Sequence, residues 1–167
     1  CRCGHALDPG YSCGRGPVQR CASQYQARLS GPLLDRIDLQ IEVPAVSAAD
    51  LILPAPTEGS TEVARRVAAA RARQAERYSA IGLSVVTTNA AATTRAIEDL
   101  AAPDASAQAL VREAAERFAL SARGYHRVLK LARTIADLDG STAVRRPHLA
   151  EALAYRTGLD RRSSVAA

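Results

Sequence analysis

The sequence is short of lysine, of aromatic rings and of long apolar runs, and each shortage excludes something. Of its 22 basic residues only Lys130 is a lysine, set in Val128-Leu129-Lys130-Leu131. The GxxxxGK[ST] loop that cradles nucleotide phosphates therefore has no counterpart in these 167 residues. HExxH is absent, and neither GxSxG nor GxGxxG occurs in the strand–turn–helix setting that gives it meaning. Tryptophan is missing and aromatic residues amount to 4%, too few for a base-stacking surface. No run of about 18 apolar residues occurs, and no charged-then-apolar leader. The expectation is a cytoplasmic chain with no membrane partner.

What is present is enough for one good core, or for a small core with an appendage. Hydrophobic residues make up 47% of the chain, which places it among globular rather than disordered sequences. The formal charge of +5 permits a nucleic-acid partner without requiring one. A basic set made almost wholly of arginine, in an alanine-rich chain, reflects compositional bias before it reflects function.

Along the chain, residues 1–21 are rich in cysteine, glycine and proline and lack periodicity, so they read as a loop. Cys1, Cys3, Cys13 and Cys21 are the candidate ligands of a tetrahedral zinc ion. Their spacing lacks the paired CxxC units of strong zinc motifs, and free thiols in a cytosolic protein are the alternative. A helix is expected over 17–29, stopped by Gly31-Pro32. After the turn Leu33-Leu34-Asp35-Arg36, the stretch from Ile37 to Val43 alternates apolar and polar residues, the period of a half-buried strand. The plain reading of Asp35 and Arg36 is a surface pair in an ordinary loop. Proline and small residues over 47–59 mark a linker.

Beyond the linker the texture turns helical. Ser60 caps a predicted helix with Glu62 in its first turn. Arg65, Arg66, Arg71, Arg73 and Arg77 crowd one side of it, either a nucleic-acid surface or a solvated face. Residues 83–102 are ambiguous. Asp104 or Ser106 then starts an amphipathic helix through Phe118, and Ser121 starts another that stops at Gly140. A last helix opens at Pro147 and ends near Gly158. Short connections imply antiparallel packing into a small bundle. The expected organisation is a strand-bearing partial domain over 1–46, a linker over 47–58, a helical domain over 59–158 and a frayed tail over 159–167.

Three stretches are more specific than any of this: LSGPLLDRIDL at 29–39, LSARGYHRVLKLARTIADL at 120–138 and HLAEALAYR at 148–156. Together they resemble the bacterial ComM/YifB family of magnesium-chelatase-like AAA+ ATPases, and Cys1-Arg2-Cys3-Gly4 matches the start of a cysteine-rich insertion found in many members. In that family the phosphate loop and the Walker B strand lie upstream of these motifs. The resemblance therefore implies a mainly α chain: the end of an AAA+ α/β core, contributing one strand, followed by a helical lid bundle.

It also implies roles. Arg36, the arginine of LLDR, resembles an arginine finger that reaches the nucleotide of a neighbouring subunit, with Asp35 holding it or pairing across the subunit boundary. Arg123, in LSARG, resembles the sensor 2 arginine that reaches from the lid to the γ-phosphate in its own subunit. Arg127 and Arg133 on the same helix compete with it. Gly124 permits close approach, and the helix N-terminus attracts phosphate. The implied cofactors are ATP and Mg²⁺, with zinc as a further candidate. The implied partners are neighbouring subunits of a homo-oligomeric ring, a hexamer, and DNA. For the function, the resemblance implies DNA remodelling of the branch-migration type. A chelatase-like or protein-remodelling motor and a non-enzymatic DNA- or protein-binding module are the alternatives. Without a phosphate loop, the isolated 167-residue chain is expected neither to hydrolyse ATP nor to bind it tightly. Calorimetric titration checks this, and saturable micromolar binding contradicts it.

Overall fold

The periodic second half of the sequence becomes five packed helices in a computed structural model, which describes residues 10–14, 16, 18–41, 43, 46–54 and 57–157. In chain order the helices are α1 (Val18–Gln26), α2 (Gly31–Leu34), α3 (Ser60–Ala80), α4 (Thr94–Leu100), α5 (Ala105–Arg117), α6 (Ala122–Leu138) and α7 (Arg146–Thr157). Helix α6 is the axis: α3, α4 and α7 all pack on it, and α5 packs on α7. Its Val128, Leu129, Ala132 and Ala136 are buried with Tyr78, Ile97, Val111, Leu149 and Leu153 from the surrounding helices. The spacing of those α6 residues is the i, i+4 stripe of a core-facing helix.

The sequence also sets where these helices start. The side chains of Thr93, Asp104 and Ser121 each accept the backbone N–H three residues on, from Ala96, Ala107 and Gly124. This satisfies donors that the first helical turn otherwise leaves open. Asp104 rather than Ser106 is the cap, and the Ser106 hydroxyl donates to the Asp104 carboxylate at 2.7 Å. At α3 the cap position falls to Gly59, whose N–H donates to the Glu62 carboxylate at 3.1 Å. Helix α7 uses its own His148, whose Nδ1 accepts the Arg145 N–H at 3.0 Å. Helix α6 stops at Gly140, held at φ 75°, a left-handed conformation that costs glycine little.

Charge, not hydrocarbon, fills the centre of the α3–α6 contact. The Asp137 carboxylate is fully buried. It pairs with Arg77 of α3 and with Arg133 one turn back on α6 at 3.0 Å, and it accepts Asn89 Nδ2 at 2.9 Å. Asn89 Oδ1 in turn accepts the buried Tyr78 hydroxyl at 3.0 Å. Arg133 also donates to the Thr142 and Ser141 carbonyls, and Arg73 donates to the Asp137 carbonyl at 2.8 Å. One network thus ties α3, the turn at 89–91, α6 and the approach to α7.

The expected strand does not form. Residues 37–41 are extended but unpaired, and no strand exists among the described residues. The Gln40 N–H donates to the Tyr155 carbonyl at 2.9 Å, so the neighbour of this stretch is helix α7. Alternation of side chains makes a strand only where another strand supplies ladder partners. Here Ile37, Leu39, Ile41 and Val43 remain exposed. The first half of α3, Ser60 to Ala69, is exposed as well, and Ala70 is its first core residue.

Burial pushes the Asp137 carboxyl upward, but hydrogen bonds from Arg77 and Asn89 and the charge of Arg133 outweigh it and hold it below the ordinary 3.8. A carboxyl depressed in the folded state stabilises fully above its unfolded pKa. That contribution is lost as pH falls below about 3.8 through the lower folded value. Asp137→Ala, which strands two guanidinium groups, should cost about 3–5 kcal/mol in chemical denaturation at neutral pH. Asp137→Asn should flatten the loss of stability in acid.

Candidate functional site

The LSGPLLDR turn folds back onto the ends of α6 and α7. Ser30 caps the short α2, its hydroxyl oxygen accepting the Leu33 N–H at 3.3 Å, and this delivers Asp35 and Arg36 just past the helix. Asp35 turns toward the bundle. One carboxylate oxygen accepts the Ser121 hydroxyl at 2.9 Å, and the other accepts Arg156 Nη2 of α7 at 2.8 Å. Gly124 leaves the room for this: a Cβ there would sit 3.2 Å from Arg156 Nη2 and 3.4 Å from Asp35 Oδ1. Further along, Asp38 pairs with Arg127 of α6. With the Gln40 backbone bond to Tyr155, three successive contacts form a seam between residues 35–40 and the bundle.

Arg36 has no such tie. It is exposed and its side chain makes no ion pair with a described residue. Arg123, exposed in the first turn of α6, is uncommitted too. It lines a cleft of about 520 Å³ with Asp38, Thr94, His126, Arg127 and Lys130. Arg123, Arg127 and Lys130 stand at the i, i+4, i+7 positions of one helix face, so the cleft is positively lined. His126 meets Glu98 at 2.7 Å, and Lys130 donates to the Ala90 carbonyl at 2.9 Å. A concave wall bearing an unpaired guanidinium suits a phosphate group.

The predicted site residues therefore separate. Arg36 and Arg123 are both free to act. Arg127 shares the cleft but is spoken for by Asp38. Arg133 does not compete, because it is buried and paired with Asp137. The Asp35 carboxylate is bound by Ser121 and Arg156 of its own chain. Gly124 makes room for that carboxylate, and Asp35 occupies the N-terminal end of α6 where a phosphate was expected. The basic face of α3 divides as well: Arg73 and Arg77 point inward to Asp137, Arg66 pairs with Glu58, and Arg65 and Arg71 stay exposed. Sequence reasoning missed Arg156 and Asp38 as seam partners. The signal available was that both lie inside the long motifs.

Of the cysteines, Cys1 and Cys3 lie outside the described residues, Cys13 is buried and Cys21 half-buried. No group of three or more His, Cys, Asp or Glu side chains among the described residues is placed to hold a metal ion. No helix among them is long and apolar enough to cross a membrane.

The model of the family "magnesium chelatase, subunit ChlI C-terminal" matches residues 57–156, and that of magnesium chelatase subunit ChlI matches residues 1–51. The chain belongs to the magnesium chelatase ChlI C-terminal family. Among curated proteins it is 43% identical over 135 residues to the competence protein ComM of Haemophilus influenzae, covering 80% of this chain and 25% of that protein. It is 36% identical over 147 residues to the uncharacterised protein YifB of Escherichia coli, covering 85% and 28%. An uncharacterised protein of Mycobacterium bovis is 33% identical over 156 residues, covering 93% and 29%. The chain thus spans about a quarter of the length of these relatives.

The two ion pairs of the seam differ in burial, and so should their worth. Arg156 is 11% exposed and its partner Asp35 27%, whereas Asp38 is 53% exposed. Arg156→Ala should lower stability by about 2–3 kcal/mol, below the 3–5 of a fully buried pair. Asp38→Ala should cost less than about 1 kcal/mol. Urea denaturation compares them directly.

Proposed function

We propose that this chain is the lid and inter-subunit part of a ring-forming AAA+ ATPase that couples hydrolysis of ATP, bound with Mg²⁺, to DNA remodelling. The observation that carries the reading is the division of labour among the arginines at the seam. Arg127, Arg133 and Arg156 are each paired with an aspartate of the same chain. Arg36 and Arg123 keep their guanidinium groups open.

Phosphoryl transfer needs little covalent help from protein; it needs positioning and positive charge on the γ-phosphate as charge shifts in the transition state. Arg123, on the cleft wall, supplies that charge within its own subunit. Arg36 is exposed on the turn after α2, open to a nucleotide held by the next subunit. A finger used in trans requires a closed ring, in this reading a hexamer. The DNA substrate is favoured by the likeness to a competence protein. A second reading, a motor driving metal insertion, is favoured by the description of the matched family itself.

The test is steady-state ATP hydrolysis by the full-length protein with and without branched DNA. Arg36→Ala should lower turnover by roughly 10³–10⁵-fold, the worth of an arginine finger, and Arg123→Ala should lower it as well. DNA should stimulate the wild type. Robust turnover indifferent to DNA would move the reading to metal insertion, and unchanged turnover in Arg36→Ala would remove the finger.

A further inference from the structure

The seam itself has a use. We infer that Asp35 is a positioning residue that couples the two arginines, so that lid position in one subunit sets the aim of the finger offered to the next. The inference rests on the reading of Arg36 as a finger.

The geometry is specific. Asp35 is the chain neighbour of Arg36, and it is held by the Ser121 hydroxyl at 2.9 Å, two residues before Arg123, in the room that Gly124 leaves. The second hold, Arg156 Nη2 at 2.8 Å, comes from α7. Both oxygens of one carboxylate are therefore committed to two helices of the bundle, and one peptide bond separates that carboxylate's residue from Arg36. Any shift of α6 that answers contact between Arg123 and a phosphate must carry Asp35 along or break its bond to Ser121.

The seam also holds a defect: among the described residues, the buried Arg156 Nη1 and Gln40 Oε1 find no hydrogen-bond partner. An orphaned buried donor and acceptor are costly, so a rearrangement that pairs or wets them is favoured. A contact kept only for stability would gain nothing from such a defect.

The experiment uses full-length protein and the wedge that Gly124→Ala introduces. Alanine is preferred over glycine inside a helix, which offsets part of the weakening of the Asp35–Arg156 pair, so the thermal midpoint should fall less than in Arg156→Ala and the protein stay folded. The added methyl meets Arg156 and Asp35, so kcat should fall roughly ten- to a hundredfold, as small misplacements of catalytic groups do, with KM for ATP little changed. In an Asp35→Ala background the wedge should cost nothing further. Arg156→Lys, which keeps the charge but loses the planar fork, is the second variant. It should lower kcat alike and be masked by Asp35→Ala in the same way. If both variants keep wild-type kcat while Arg36→Ala is inactive, the coupling is overturned and the finger stands. If the losses add to that of Asp35→Ala, Gly124 acts through Arg123 alone and the coupling is likewise overturned. If Arg36→Ala is fully active, the finger reading fails first, and the inference with it.

Discussion

The bundle depends on one buried carboxylate. Asp137 is wholly removed from solvent, a position a charge tolerates only when paired and hydrogen-bonded. It receives Arg77, Arg133 and Asn89, which come from α3, α6 and the turn before α4. The core around it mixes alanines such as Ala107, Ala132 and Ala136 with larger side chains such as Tyr78, Ile97 and Leu129. Small side chains let helices approach closely but specify their register poorly. A directional charge network supplies that register: Asp137 is satisfied only when α3 and α6 meet at one rotation.

The network also explains which arginines remain for function. In a chain this rich in arginine, a guanidinium is by default a structural group. Arg73, Arg77 and Arg133 close on Asp137, Arg66 on Glu58, Arg127 on Asp38 and Arg156 on Asp35. Each carboxylate thereby removes a competitor for incoming phosphate. What is left open near the seam is Arg36 on the outward turn and Arg123 on the cleft wall. That division makes the family's implied chemistry physically reasonable in this chain.

The seam has a different character from the bundle core. Its ion pairs are partly exposed, its backbone contributes one hydrogen bond, and two of its buried polar atoms find no partner among the described residues. Low-stability contacts of this kind are where proteins open and shift without unfolding.

Much of this was legible in the sequence for a simple reason: helix periodicity and caps are local. The stripe of α6, the stops at Gly140 and the caps at Asp104 and Ser121 follow from residues within a turn or two of one another. The motif at 29–39 and the arginines Arg36 and Arg123 were likewise visible. The strand failed because alternation at 37–43 states a face preference but not a partner, and ladder bonds come from elsewhere in space. Which arginines are engaged was also beyond reach. Asp35 meets Arg156 across 121 positions of chain, and Asp38 meets Arg127 across 89. The sequence determined the helices and the candidates; tertiary structure alone decided which charges are spent on holding the fold, because pairing is settled by distance in space and not by distance along the chain.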